Sequence, residues 1–569
     1  MTDRQAVLLA LSAMAGALVP TPMPRGLAIV LAAGTYLARR PILFAMAMVL
    51  LCSALASAAW RGIDAPRETE VDGTGTVVTD PVQHQRSVSA VIRLDGHRYL
   101  ASAWGPAAAT LRRADAGDRV DVSGKVAPYR GARERHAALH TGHRLSIRRI
   151  DVGSADNPLF AFANALRSRI AGGASSLPAE RRALFTGLVY GDTRGQSPLT
   201  ETDFRFAGLT HLLAVSGQNV AYLLTLVGPL VRRLPLRARW VFVIAVLVVF
   251  ATVTRYEPSV LRATWRAALA VTARWLGREA SSGRLLALAV TALLVIDPLL
   301  ASTIAFRLSV AASAGLVWLR PLVARRLHGP AWMVDPLAVT IAAQLAVAPV
   351  LITSFGPVSL VSVPANMLAA PLAGFTMAWG MTAGLGAGFL PAAVGAAVHQ
   401  LTAFVLAALE TIARTAGRLP LAPVDLPWLA MCLVLAYWRR ARVTRSSVVG
   451  QLVIGVLLAI ALVPAPADGR HEVGPSSELV HVRGVSVLVL RDTAAPGWVL
   501  DDLRTLEVRR LDAVVVATDA QAAAVATIGQ RIPVDRLVRT DDGTFDLDVA
   551  GSRLIVDHRD GNAVVTFSG

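Results

Sequence analysis

Long apolar stretches recur along this chain, separated by short loops that carry arginine. Each is about 17 to 25 residues, close to the roughly 20 that an α-helix needs to cross hydrocarbon, so the pattern predicts a polytopic α-helical membrane protein. Residues 1–60 read as two N-terminal transmembrane helices, over 6–37 and 41–60, joined through Arg39 and Arg40. Positive loops stay in the cytoplasm, which would place the segment after Trp60 outside. That segment, 61–155, changes period: Ser87 to Ile92 and Asp118 to Val126 alternate polar and apolar residues between turn residues. Alternation of this kind predicts a small all-β domain, and the strand spacing suits an OB-like five-stranded barrel among other small β folds.

Residues 156–203 form an amphipathic connector, and 204–463 the main polytopic body, for which roughly nine to eleven further spans are expected. Arg439, Arg440, Arg442 and Arg445 mark a cytoplasmic loop before a last helix at 446–463, which would return the tail to the side of the β domain. The tail, 470–569, mixes short β-branched runs with helical stretches and reads as a C-terminal soluble α/β domain.

Composition narrows the function. With 569 residues, 54% of them hydrophobic and 17% charged, a single soluble globule, a coiled coil and a disordered scaffold are excluded. Cys52 and Cys432 both sit in apolar runs and offer neither a disulfide framework nor a zinc cluster. The formal charge of +17 attracts polyanions such as nucleic acid or acidic lipid, although loop bias in any membrane protein also supplies positive charge. Residues 71–151, the alternating part of the β segment, hold 13 basic residues against 8 acidic, whereas the tail holds 11 against 15, a poor surface for DNA. Arg98, Tyr99, Trp104, Lys125, Tyr129 and Arg130 supply the cations and flat rings that single strands use for phosphate contact and stacking, or else form a solvated surface with structural aromatics.

The most informative stretch runs from Gly191-Asp192 through Phe204 to Gly208-Leu209-Thr210-His211-Leu212-Leu213-Ala214-Val215-Ser216-Gly217-Gln218-Asn219-Val220-Ala221-Tyr222. Read as one helix, His211, Gln218, Tyr222 and Thr225 share a polar face with Asn219 at its border. Polar groups in lipid must face protein or water, so this face either lines a path or glues two helices.

This block resembles the ComEC family of DNA-uptake channel proteins. So do Pro258-Ser259 with Arg262-Ala263, then Phe306-Arg307-Leu308-Ser309, then Ala343-Gln344-Leu345 leading through Phe355-Gly356 to Asn366 and Pro371. The resemblance covers nearly the whole chain. It implies an inner-membrane channel for single-stranded DNA in natural transformation; with the polar face and the charged positions of the body, the expected channel residues are Asp192, His211, Ser216, Gly217, Gln218, Asn219, Tyr222, Arg262, Arg266, Arg307, Gln344 and Asn366. Its implied partners are an outer DNA receptor, a cytoplasmic helicase-like motor and a separate nuclease, alongside membrane lipid.

Two departures stand out. Many members read Ser-Gly-Leu-His-Val where this chain has Ser216-Gly217-Gln218-Asn219-Val220, and Leu511 to Val516 resembles the strand before a metallo-β-lactamase metal loop that here reads Ala517-Thr518-Asp519-Ala520-Gln521. Without the histidines, the tail is expected to be a degenerate relic with no metal and no nuclease activity. No cofactor is expected either, since the only lysine, Lys125, lies in the β segment and no P-loop is present.

Charge within the body sharpens the transport reading. Arg262 and Arg266 lie one turn apart near Arg255 and Glu257, where they either receive a phosphodiester backbone or snorkel beside Glu257. Arg307 is expected inside a span, needing a partner or a hydrated cavity, and Asn366 between Pro364 and Pro371 is expected to mark a broken helix. Two rival functions remain: a small-solute or lipid transporter, and an intramembrane serine protease with Ser216 as nucleophile and His211 or His399 as base.

Overall fold

The computed structural model describes residues 2–419, apart from 65–68, 85–86, 130, 356–357 and 360, and much of 469–568. Arg130, the arginine loop at 439–445 and the span expected at 446–463 lie outside the described residues. Two compact units are formed, one holding 1–196 and 208–416, the other 197–207 and the tail.

The first unit opens with α1 (Asp3–Leu18), α2 (Arg25–Leu37) and α3 (Pro41–Asp64). The anchor expected over 6–37 is thus two short helices. Pro20, Pro22 and Pro24 lack amide donors and interrupt the helical ladder between them. Gly16 lets α1 lie directly on the backbone of α3 at Val49, and Leu9, Ala13 and Ala17 share a core with Met48 and Leu51.

Six strands follow: β1 (Glu70–Val77), β2 (Val82–Gln83), β3 (Val88–Leu94), β4 (His97–Ala103), β5 (Asp118–Pro128) and β6 (His143–Ala155). Five of them close a barrel in the ring order β1-β3-β4-β6-β5, antiparallel except for the parallel pair β4–β6, and β2 extends β3. Closure depends on β1 pairing on both sides, and Gly75, opposite both Leu94 and Val120, has no side chain to obstruct it. Val88, Ala90, Ile92, Leu94, Tyr99 and Leu145 fill the interior. Short helices α4 (Gly105–Leu111) and α5 (Arg133–Leu139) sit in the β4–β5 and β5–β6 connections.

The helical body comprises α6 (Pro158–Gly173), α7 (Ala179–Tyr190), α9 (Gly217–Arg232), α10 (Leu236–Val253), α11 (Pro258–Trp275), α12 (Ser282–Ile296), α13 (Ile304–Ala324), α14 (Ala331–Phe355), α15 (Ser362–Ala387) and α16 (Ala392–Ala416). The intervening α8 (Pro198–Phe206) belongs to the second unit. Among the described residues six helices, α3, α10, α13, α14, α15 and α16, are long and apolar enough to cross a membrane, as in a multi-pass membrane protein. Helices α13 and α15 each contain a π turn, at Gly315–Leu319 and Gly380–Gly384. The break expected around Asn366 does not occur: the helix runs unbroken from Ser362 to Trp379. Pro364 falls in its first turn, where no intrahelical amide is required, and the Asn366 amide donates to the Ser362 carbonyl at 2.8 Å.

In the second unit, β7 (Gly469–Val473), β8 (Ser477–Val482) and β9 (Val485–Val489) are antiparallel, and β10 (Ala513–Val516) and β11 (Leu537–Arg539) continue the sheet in parallel. Helices α17 (Pro496–Thr505) and α18 (Asp519–Gly529) accompany them. The connector expected over 156–203 is divided between the units. Its α8 end carries buried Asp203, paired with Arg531 at 2.9 Å and Arg504 at 3.5 Å. After β10 the chain makes a helix cap: Thr518 accepts from the Gln521 amide, and Gln521 Oε1 accepts from the amides of Ala517 and Thr518.

Candidate functional site

Helix α7 ends at Gly191, whose φ of 83° is left-handed and suits a residue without a β-carbon. The turn presents Asp192, whose carboxylate accepts from Arg194 Nε at 2.9 Å and pairs with Arg167 at 3.2 Å. Arg167, on α6 and 4% exposed, also pairs with Asp80 of the β1–β2 loop. Arg255, between α10 and α11, donates to Asp80 at 3.0 Å, and Arg194 reaches Asp115, just before β5, at 3.0 Å. Three arginines therefore share three aspartates and lock the barrel onto the helical body. Burial opposes ionisation of Asp80, but Arg167, Arg255 and Arg194 overcome it and hold the carboxyl at about 2. Arg255 and Tyr256 both adopt a φ of 57°, a strained conformation for residues with side chains that the surrounding ion pairs keep in place.

A second junction joins the β5–β6 connection to the body. His140 pairs with Asp297 at 2.8 Å, and the Arg133 guanidinium lies 4.3 Å from the Trp60 ring centroid. Arg307 belongs here. It lies in the first turn of α13 rather than deep in a span, donating to the carbonyls of Ala301 and Ser302 at 3.0 and 2.9 Å and to Glu134 at 3.5 Å.

The block expected to be one continuous polar helix is divided. Thr210–Leu212 is a 3-10 turn, and α9 begins only at Gly217. His211 is therefore not on the face of Gln218, Tyr222 and Thr225. Gly208, with φ of 69°, brings the turn against Ser362, and His211 hydrogen-bonds to the Asn366 side chain and the Gly208 backbone. Along α9, Gln218 donates to Tyr222 Oη at 2.7 Å, and that oxygen lies against Gly374 of α15.

Three of the motif segments converge at the start of α9. A β-carbon on Gly217 would come 2.8 Å from Arg262 Nη2 and 3.1 Å from the Ser259 carbonyl, so glycine allows α9 and α11 to meet. Ser259 donates to the Val215 carbonyl at 3.1 Å, and Arg262 Nε donates to Ser309 of α13 at 2.8 Å. Ser216, at the N-cap, makes no capping bond; it donates to Asn219 Oδ1 at 3.0 Å, and Asn219 donates to the Leu188 carbonyl at 3.1 Å. The hydroxyl's partner is thus an amide. Buried His399 bonds Thr402 at 3.2 Å. Arg266 and Gln344 are half-buried on α11 and α14, outside these contacts.

On the barrel, Tyr99 points inward and is 5% exposed, which removes it from the expected stacking surface. Its neighbour Arg98 lies on the outer face, directly across from Arg93, and both burial and Arg93 lower its pKa. Arg144 of β6 lies opposite Leu100 in the parallel pairing, and its guanidinium is 5.3 Å from the exposed Trp104 ring. Lys125 is exposed and Tyr129 half-buried against His136. Arg93 and Arg144 escaped sequence reasoning because their grouping with Arg98 depends on strand register. Ser309 stood in a quoted motif without an assigned part.

Residues 188–442 match the family model described as Competence protein. ComE operon protein 3 of Bacillus subtilis (strain 168) is 27% identical over 213 residues, a match covering 37% of this chain and 27% of that protein's length. No solved structure matches the chain.

Proposed function

We infer that the chain belongs with the ComEC family of competence proteins through its 188–442 region, and on that premise that it is a plasma-membrane channel passing single-stranded DNA inward. In this reading the barrel and the tail face outward, the barrel receives the strand, and polar residues of the helical body line its path. The chain is not itself an enzyme; an outer receptor delivers DNA, and a cytoplasmic motor supplies the driving force.

One observation carries the reading. The ring order β1-β3-β4-β6-β5 with its parallel β4–β6 pair supports an OB-type barrel, in which the second and third strands offer an oligonucleotide-binding face. Those strands are β3 and β4, and their outer face, with adjoining β6, carries Arg93, Arg98, Arg144 and Trp104. Guanidiniums bind phosphate and the ring stacks on a base. A small-solute or lipid transporter would leave this face without a task.

The test replaces Arg93, Arg98 and Arg144 together by alanine in the full chain. Entry of labelled DNA into cells should fall at least about tenfold at matched membrane level, and the slope of log affinity against log salt for an oligothymidylate should become shallower by about 2. Unchanged uptake and slope would contradict the reading.

A further inference from the structure

Arg262 is 8% exposed, yet among the described residues no carboxylate lies within ion-pairing distance of it. Its Nε is taken by Ser309, and its Nη2 reaches the first residue of α9. That 16-residue helix points the positive end of its dipole at the guanidinium, and its N-cap Ser216 leaves the first turn without a side-chain cap. Arg266, one turn further along α11, adds a second cation. A buried cation facing an uncapped helix N-terminus is repulsive unless an anion sits between them. Gln218, exposed beside Gly217, keeps the place open to an incoming group.

We propose that the α9 N-terminus and Arg262 form a binding station for a phosphodiester group, held by the terminal guanidinium nitrogens and the first amides of α9. Ser309 is a positioning residue that fixes the guanidinium through Nε, leaving its outer edge for a phosphate oxygen. Gly217 is required because any side chain would occupy the place where guanidinium and helix end converge. The inference rests on the transport reading for the identity of the phosphodiester as strand backbone; a lipid headgroup offers the same chemistry.

The test uses the full chain purified in a maltoside detergent, which carries no phosphate. Thermal unfolding is followed with diethyl phosphate, with an oligothymidylate, and with phosphatidylglycerol, for the parent and for Arg262→Gln, Arg262→Lys and Ser309→Ala. Diethyl phosphate should raise the parent midpoint by several degrees, Arg262→Gln should abolish that rise without lowering the anion-free midpoint, Arg262→Lys should retain a smaller rise, and Ser309→Ala should need severalfold more ligand.

Stabilisation by oligothymidylate through Arg262 identifies strand backbone as occupant. A response to phosphatidylglycerol alone keeps the station and assigns it to lipid, and the transport reading is then judged by the barrel variant's uptake. No response to diethyl phosphate, or an equal response in Arg262→Gln, overturns the station whatever the uptake result. A fall in the anion-free midpoint of Arg262→Gln, with the ligand response intact, assigns Arg262 to structure alone and overturns it equally.

Discussion

Arg167 and Arg262 are buried to a similar degree, 4% and 8% exposed, but their surroundings differ. Arg167 lies between Asp80 and Asp192 and donates to the Val253 carbonyl at 2.9 Å. Arg262 has a serine, a second arginine along its helix and a helix N-terminus. The first arrangement is closed electrostatically and joins a barrel to a helical body. The second is open by one negative charge. Burial alone therefore does not distinguish an arginine that holds a fold from one that awaits a ligand; the count of carboxylates around it does.

The largest effect that could break this contrast is at Asp80. Asp80→Asn leaves Arg167 and Arg255 short of a counter-charge and should destabilise the first unit by about 3 kcal/mol, measured by chemical unfolding of the full chain. A loss well below 1 kcal/mol would mean that the junction is not the lock described. The pH dependence follows. Asp80 is held at about 2, below its ordinary 3.8. Its contribution, about 2 kcal/mol, should be complete above roughly pH 4 and lost as the pH falls through 2, read as increased hydrogen exchange in the β1–β2 loop.

Gly217→Ala comes next. Its β-carbon would meet the Ser259 carbonyl at 3.1 Å and Arg262 at 2.8 Å, at a cost of about 1–2 kcal/mol, with weakened response to diethyl phosphate as the sharper readout. Smallest is Arg307→Ala, expected to cost at most about 1 kcal/mol because the Glu134 pair is partly exposed. A loss of several kcal/mol on unfolding would return Arg307 to a buried role.

Much of this was legible in the sequence, and the misses share a cause. Apolar run length located the span of α3, and alternation located the barrel, because both are local consequences of element geometry. The same run-length reading joined α1 and α2 into one anchor, since their residues are equally apolar and only the three prolines between them signal the break. Helical periodicity placed His211 with Gln218, whereas a 3-10 turn and the late start of α9 put it beside Asn366, 155 residues away in the chain. Composition alone assigns Tyr99 to the surface, whereas register against Ile92 turns it inward. Arg167 carried no motif at all; its importance comes from two carboxylates that only folding brings to it. The Ser216-Gly217, Arg262 and Ser309 motifs were recognisable singly, but their convergence is tertiary.

The most direct measurement places a photocrosslinking amino acid at position 218, at the mouth of the α9–α11 site, in cells taking up labelled single strands arrested midway. The account predicts a covalent adduct between the strand and the chain that Arg262→Gln removes along with uptake. Strands that reach the cytoplasm with no adduct at position 218, and at a rate indifferent to Arg262→Gln, would contradict it.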